Sequence, residues 1–302
     1  MIIRERNPMN APLANSIVLS MSKKLRPGAG GDSANQNIFQ ELPPEPVVPS
    51  NICSPLLTLF DVPPIELARQ LTIIEFARFK AIKLWSRSGS LKDKAPNVLA
   101  MINAFNEFCT WVATSIVTQE RIKDRVKTME YFVRTAKHLY RLKNFNTLVA
   151  LLAGLRSESV YRLTFTRAEI SRKSEKMLEN LNRLMRADSS YKTYREALGQ
   201  SAPPCIPYLG VHLSDLTFIE EGNPDMIEGL INFTRRLVFR VISELSRYQQ
   251  TAYNLHPVPQ IVDLLKREGG RAASASPPLA VEDLYRISER REPRGAERKD
   301  IL

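Results

Sequence analysis

Leucines recur at helical spacing in the segment KNFNTLVALLAGLRSESVYRL, residues 143–163, and this pattern constrains the fold more than any other stretch. Four apolar positions share one helical face: Leu148, Leu151, Leu152 and Leu155. The pattern predicts a helix that packs into a core. Asn144 and Asn146 stand at its start, on either side of Phe145, and the core pattern alone does not explain these polar residues.

Helical periodicity extends over residues 52–265, so we expect one globular all-α domain there. Prolines, which favour the first turn of a helix, open PPIELARQLTIIEFARFKAI and stand near the start of APNVLAMINAFNEFCTWVATSIVTQE. EGLINFTRRLVFRVISELSRYQQTAY predicts the last long helix, and strand-like alternation is weak throughout. Residues 1–51 and 266–302 are rich in Gly, Ser, Pro and charged residues, which predicts a disordered N-terminal tail and a flexible C-terminal tail.

The net charge of +11 suits an acidic partner, an anionic membrane or nucleic acid, or simply a solvated basic surface. Nucleic acid is not expected, because no basic run is interleaved with aromatic residues. No apolar run approaches the ~20 residues of a membrane-spanning helix. The three histidines and three cysteines are scattered without metal-ligand spacing, so no metal site is expected.

Sequence motifs for covalent chemistry are absent. The chain has no phosphate-binding glycine loop, no dinucleotide fingerprint and no G-x-S-x-G elbow. We expect no cofactor and no covalent step, and we expect the function to lie in binding surfaces.

Two polar helices in tandem at about 166–200 predict a helical hairpin. The apolar stripe of each helix is narrow, so each helix buries one side only. Such a hairpin either projects into a partner or lies flat on the core, and the pattern alone favours the second arrangement.

The order of several segments resembles the catalytic domain of Ras-family guanine nucleotide exchange factors, the RasGEF family. The resemblance is carried by ELARQLTIIE, APNVLAMINAFNEFCTWV, LKNFNTLVALLAGLRSESVYRL, PPCIPYLGVHLSDLTFIEEGNPD and GLINFTRR, and it covers roughly residues 55–294. QQTAYNL and LYRISERREPR resemble the closing segments of the family, which places a short closing segment at 282–294 within the C-terminal tail.

This resemblance implies a domain that binds a Ras-like small GTPase, preferably in its nucleotide-free form, and accelerates GDP release. The hairpin would open switch I, the loop over the nucleotide, and disturb the magnesium site. Two other interpretations stay open. One is an exchange-inactive adaptor of the same fold, and the other is a helical scaffold that binds an acidic partner or an anionic membrane. The resemblance also implies a cytoplasmic protein that is recruited to membranes.

The resemblance assigns roles residue by residue. On the first hairpin helix, the residues expected to act at switch I are Glu179, Leu178 and Lys176. The residues expected to bind the GTPase are Arg69, Thr72, Asn106, Glu221 and Asn223. The residues expected to support the hairpin are Asn144, Asn146, Arg162, Pro204 and Pro207. The resemblance also implies that the two asparagines cap the leucine-rich helix and hold neighbouring backbone.

Two departures from the family pattern stand out. The link FKAIKLWSRSGSLKDKAPNV between the first two blocks is shorter than usual, which a surface loop tolerates. Residues 1–50 are too few and too polar to form the N-terminal accessory helical module that often braces the hairpin.

Overall fold

A computed structural model describes residues 42–83, 95–224, 226–232, 234, 237–274, 279–297 and 301, without the side chains of 268–274. Residues 1–41 of the predicted N-terminal tail lie outside this described part. Pro43–Leu302 form one compact unit.

The all-α prediction is confirmed, because helices dominate the described residues. A 3₁₀ turn at Leu59–Asp61 precedes them. The helices are α1 Pro64–Ala81, α2 Pro96–Val117, α3 Ile122–Arg141, α4 Phe145–Leu155, α5 Glu158–Tyr161, α6 Thr164–Ala168, α7 Arg172–Leu184, α8 Asp188–Gly199, α9 Leu209–Gly222, α10 Leu237–Gln249, α11 Pro259–Ser274 and α12 Val281–Arg291. Within the described ranges, no helix has the length and apolar character needed to cross a membrane.

The leucine-rich helix α4 lies at the centre of the core, packed against α2 and α3, while α1 packs against α3. Leu148, Leu151 and Leu152 are fully buried. Gly154 permits a close approach to α2, because a Cβ atom at this position would lie 2.7 Å from the carbonyl oxygen of Cys109 and 2.8 Å from Cβ of Val112. Helix α4 is buried on nearly all sides, which goes beyond the one apolar face that the leucine spacing indicated.

The helix predicted from Glu228 begins later, at Leu237. In its place, strands β1 Met226–Ile227 and β2 Leu230–Ile231 form a short antiparallel pair. Glu228 and Gly229 occupy the turn with φ values of 51° and 80°. A left-handed glycine favours such a hairpin turn over a helix interior, which accounts for the difference.

The C-terminal region contains more helix than the sequence indicated. Helix α11 was not predicted, and the closing segment proposed at 282–294 coincides with α12, which packs against α2 and α5. Leu284, Ser288 and Glu292 are buried there. This part of the predicted tail is therefore docked onto the domain.

Candidate functional site

Asn144 caps α4 and joins it to α1. Its side-chain oxygen accepts a hydrogen bond from the backbone N–H of Thr147 at 3.1 Å, which confirms the predicted cap. Its amide nitrogen donates to Oγ1 of Thr72 at 3.1 Å. Asn144 is fully buried, so both ends of its side chain have partners away from water.

Asn146, in the first turn of α4, makes a second connection. Its amide donates to Oε1 of Glu75 at 2.6 Å, and its oxygen accepts from the backbone N–H of Leu209 at 3.2 Å. The polar residues at the start of α4 therefore join it to α1 and α9. Burial raises the pKa of Glu75, while Arg78 and Asn146 act in the opposite direction.

The segment that contains Pro204 and Pro207 runs beside the start of α4. Ile206 donates its N–H to the carbonyl of Lys143 at 3.0 Å and accepts from the N–H of Phe145 at 2.9 Å. Pro207 is buried, Pro204 is half-buried, and the Pro203–Pro204 bond is cis. This segment lies against the base of α4, and its role as a hairpin support stays a prediction.

Helices α7 and α8 form the predicted hairpin. The apolar side of α7, with Leu181 and Met185 buried, packs on α3, while its opposite side is exposed. Ser171 caps α7 through the N–H of Ser174 at 3.4 Å, and its own N–H donates to Oε1 of Glu130 on α3 at 2.9 Å. The first helix is therefore anchored along one side and open along the other.

The three residues predicted to act at switch I fall on different sides of α7. Glu179 and Lys176 are exposed, and Leu178 is half-buried against the core. Arg183, one possible partner of Glu179, instead donates to Oδ1 of Asn180 at 2.6 Å. In the part of the chain that the structure describes, Glu179 forms no hydrogen bond or ion pair.

The second hairpin helix is connected to α9 by a charged pair. Arg195 donates to both carboxylate oxygens of Asp215, each at 2.7 Å, and its Nε donates to the carbonyl of Ser190 at 2.8 Å. The bonds to Asp215 raise the pKa of Arg195. Bidentate pairs fix relative orientation as well as adding energy. No local sequence pattern indicates this pair, because its partners lie 20 positions apart in separate helices.

An aromatic series connects the hairpin to α2. Tyr191, at the start of α8, packs edge-on against Tyr208 with ring centroids 6.1 Å apart. Tyr208 in turn stacks on Phe105 at 5.9 Å, and its N–H donates to the hydroxyl of Tyr194 at 2.7 Å. The start of α8 and the exposed side of α2 therefore share one surface.

A mostly apolar groove lies beside this aromatic series, with a volume of about 290 Å³. Ile102, Phe105, Tyr208 and Leu213 line it, and the exposed Asn106 stands at its edge. The predicted position of Asn106 thus adjoins a groove with an amide at its rim, an arrangement that suits a protein partner.

Arg69 and Thr72 are less available than the prediction required. Arg69 donates to Oε2 of Glu66 at 3.1 Å and to the carbonyl of Glu45 at 3.0 Å, and its side chain is 14% exposed. Thr72 is fully buried and donates to the carbonyl of Ala68 at 2.7 Å. The structure therefore does not place Thr72 at a surface; it lies beneath Asn144.

Glu221 and Asn223 lie at the end of α9. Glu221 is exposed, while the amide of Asn223 donates to the carbonyl of Ile219 at 3.0 Å and closes the helix. Phe218 is 74% exposed on the same helix, a feature that the helical pattern did not single out.

Arg162 contacts α12 and the residue that follows it. Its guanidinium donates to the carbonyl of Glu292 at 2.9 Å and to Oγ of Ser288 at 3.3 Å, and it lies over the ring of Tyr285. These described contacts hold the closing segment, so any support that Arg162 gives the hairpin is indirect and stays a prediction.

Among the described residues, no group of three or more His, Cys, Asp or Glu side chains has a metal-binding arrangement. The surface around the hairpin instead offers the carboxylate of Glu179, which lacks a partner among the described residues, together with the exposed amide of Asn106 and an apolar groove. These groups can bind and compete for contacts, as a protein–protein interface does.

Comparison with known proteins agrees with this geometry. The model of the RasGEF domain matches residues 66–237. The chain is 41% identical over 315 residues to Ras guanine nucleotide exchange factor A of Dictyostelium discoideum, with 99% of this chain and 51% of that protein covered. It is 42% identical over 293 residues to Ras guanine nucleotide exchange factor J of the same organism, with 94% of this chain and 35% of that protein covered. The chain spans about half the length, or less, of these relatives. The chain belongs to the RasGEF domain family.

Proposed function

We propose that this chain is a guanine nucleotide exchange factor, which accelerates GDP release from a Ras-like small GTPase and so permits GTP loading. One observation carries the proposal: Glu179, on the open side of α7, presents a carboxylate that has no hydrogen bond or ion pair among the described residues, in a hairpin whose second helix starts beside the groove at Asn106. The names of the curated relatives support the class of partner.

In this mechanism α7 enters beneath switch I of the GTPase. The carboxylate of Glu179 competes with the nucleotide phosphates for the cations and backbone dipoles that hold them. The accessible part of Leu178 places an apolar group near the magnesium site of the GTPase, which removes favourable polar contacts there. Lys176 binds at the rim of the interface. No covalent bond is made or broken in the exchange factor.

The activation free energy of GDP release determines how many contacts this mechanism requires. A ~10⁴-fold faster release needs about 5.5 kcal/mol less activation free energy. One carboxylate does not supply this alone, so the groove beside Asn106 and the end of α9 with Glu221 and Asn223 share the differential binding. Arg69 contributes to GTPase binding only when its hydrogen bond to the carbonyl of Glu45 is broken.

Preference for the nucleotide-free GTPase follows from reciprocity. If the exchange factor weakens nucleotide binding by some factor, the nucleotide weakens binding of the exchange factor by the same factor. We therefore expect tight binding to the empty GTPase and weak binding to the GDP-loaded form.

The direct test is release of a fluorescent GDP analogue from Ras-, Rap- and Ral-type GTPases, with excess GTP, in the presence and absence of the chain. Acceleration on one of them supports exchange and names the substrate class. Binding to the empty GTPase without acceleration on any of them would instead support the exchange-inactive adaptor.

A basic surface on α3 supports recruitment of this cytoplasmic protein to membranes, as the family resemblance implies for lipid-anchored GTPases. Five basic residues recur at intervals of three to seven along its outward side: Lys123, Lys127, Arg134, Lys137 and Arg141. Each basic group near an anionic bilayer contributes about 1 kcal/mol of attraction, which salt screens.

Partition onto vesicles that contain phosphatidylserine tests this recruitment. We expect binding that weakens as salt rises and that falls in a Lys123→Glu/Lys127→Glu variant. The matched control is Lys80→Glu/Lys266→Glu, since both control lysines are exposed outside α3. Equal partition of the two variants would contradict a role for α3.

A further inference from the structure

The carboxylate of Glu292, just after α12, is buried against the chain that leads into the hairpin. It accepts hydrogen bonds from the backbone N–H of Phe165 at 3.0 Å and of Thr166 at 2.9 Å. The hydroxyl of Thr166 donates to the same carboxylate at 2.6 Å. The side chain of Glu292 is 3% exposed, so these three donors replace water at a buried charge.

Arg125 of α3 completes this cluster. Its Nε donates to Oγ1 of Thr166 at 2.9 Å, its Nη1 donates to the carbonyl of Glu120 at 2.7 Å, and its Nη2 lies 3.6 Å from Oε1 of Glu292. The side chain of Arg125 is 1% exposed. Burial lowers the pKa of Arg125, and the charge of Glu292 opposes that shift. A buried pair of this kind requires both partners, because removing one leaves the other charged and unpaired.

The cluster lies at the root of the hairpin. Helix α6, which contains Thr166, ends at Ala168, and α7 begins at Arg172. Ser171, in the short link between them, is bonded to Glu130 of α3 at 2.9 Å. The start of α7 is therefore attached to α3 at two levels, and one of these attachments depends on a residue from the C-terminal segment.

We propose that Glu292 is a positioning residue for the hairpin, through which the C-terminal segment braces α7 for its work on the GTPase. This inference rests on the proposed exchange function. The brace comes from within the chain, since α12 is itself held by Arg162, which donates to the carbonyl of Glu292, and by Arg291, which donates to the carbonyl of Thr118 at 3.1 Å.

Glu292→Gln keeps the size of the side chain and one acceptor oxygen but removes the charge that Arg125 and Thr166 share. The matched control is Glu289→Gln, which removes the same charge from the last turn of α12, where Glu289 pairs with the exposed Arg294 at 3.4 Å. Thr166→Val is a second variant, which removes the hydroxyl from the opposite side of the cluster.

Hydrogen–deuterium exchange on the full chain tests the brace without reference to activity. We expect Glu292→Gln and Thr166→Val to accelerate amide exchange in α6 and α7 while α4 stays protected, and we expect Glu289→Gln to change neither. Equal loss of protection in α4 and α7 would overturn the proposal, because the cluster would then stabilise the whole domain and not the hairpin in particular. Unchanged protection in α7 would also overturn it, because the cluster would then not hold the hairpin at all.

Nucleotide release gives the functional measurement. We expect Glu292→Gln to lower the maximal rate of release about tenfold, with a smaller change in the GTPase concentration at half-maximal rate. Glu292→Asp should restore part of the rate. An unchanged maximal rate despite a loosened α7 would overturn the positioning role. If the wild-type chain accelerates GDP release from none of the GTPases, the proposed nucleotide-exchange function fails. The hydrogen–deuterium exchange of α7 still decides whether the brace exists.

Discussion

Arg195 and Asp215 connect the second hairpin helix to α9 through two parallel hydrogen bonds, each 2.7 Å long. The pair is part-exposed, with side chains 39% and 27% accessible, so solvent weakens its contribution to stability. Its geometry matters more than its energy, because a two-bonded pair fixes the angle at which α8 meets the body.

Asp215→Asn therefore tests whether this pair sets the orientation of α8. We expect a loss of at most about 1 kcal/mol in the free energy of unfolding, because exposed pairs contribute little. Nucleotide release should fall more than this stability change explains, since α8 would lose its fixed angle. Asp263→Asn, which removes the exposed partner of Lys266, is the control. Unchanged release in Asp215→Asn would show that this pair does not orient the hairpin.

Gly154→Ala tests the close approach of α4 to α2. The added methyl group would lie 2.7 Å from a backbone oxygen and 2.8 Å from Cβ of Val112, and neither can move freely. We expect a loss of about 1–3 kcal/mol in the free energy of unfolding by urea. Gly199→Ala is the matched control, because a Cβ at Gly199 meets nothing within 4 Å. Equal stability of the two variants would contradict the packing described for α4.

Asn144→Ala removes the cap of α4 and the bond to Thr72. We expect the free energy of unfolding to fall by about 1–3 kcal/mol, because a helix cap and a buried hydrogen bond are lost together. A double-mutant cycle with Thr72→Val separates the two effects. The combined variant should lose less than the sum of the single losses, and strict additivity would mean that the bond between Asn144 and Thr72 contributes nothing.

The raised pKa of Glu75 predicts a pH dependence of stability. The folded state binds the proton more tightly than the unfolded state, whose carboxyl has the ordinary pKa of 4.5. Stability from this group is therefore fully present below pH 4.5 and is lost as pH rises toward the folded pKa.

Urea unfolding between pH 4.5 and pH 8 measures this effect. We expect the wild type to lose stability relative to Glu75→Gln as pH rises, whereas Glu107→Gln, at an exposed site on α2, should follow the wild type. Parallel curves for the wild type and Glu75→Gln would show that burial does not raise the pKa of Glu75.

Local sequence signals predicted several of the long helices, whereas α11 was missed. The spacing of Leu148, Leu151 and Leu155 predicted α4, and the family resemblance implied the cap at Asn144. The turn at Glu228 and Gly229 was missed because the surrounding apolar residues fit a helical period as well as a short hairpin.

The contacts of the site were harder to predict, because they join residues that lie far apart in the chain. Arg162 bonds to Glu292, 130 positions away, and no local pattern identifies that partner. Thr72 was expected at the surface because the family resemblance places it on a binding helix, whereas its burial depends on Asn144, 72 positions away. Exposure of Glu179 followed from the narrow apolar stripe of α7, which is a local signal.

The most direct measurement of the central claim compares Glu179→Lys with Glu175→Lys on a Ras-like GTPase that responds to the wild-type chain. Both residues are exposed glutamates of α7, so the two variants carry the same change in charge. We predict that Glu179→Lys lowers the rate of GDP release by about 100-fold, roughly 2.7 kcal/mol in barrier, while Glu175→Lys stays near the wild type. Release at the wild-type rate by Glu179→Lys, or equal losses in both variants, would contradict the role of Glu179.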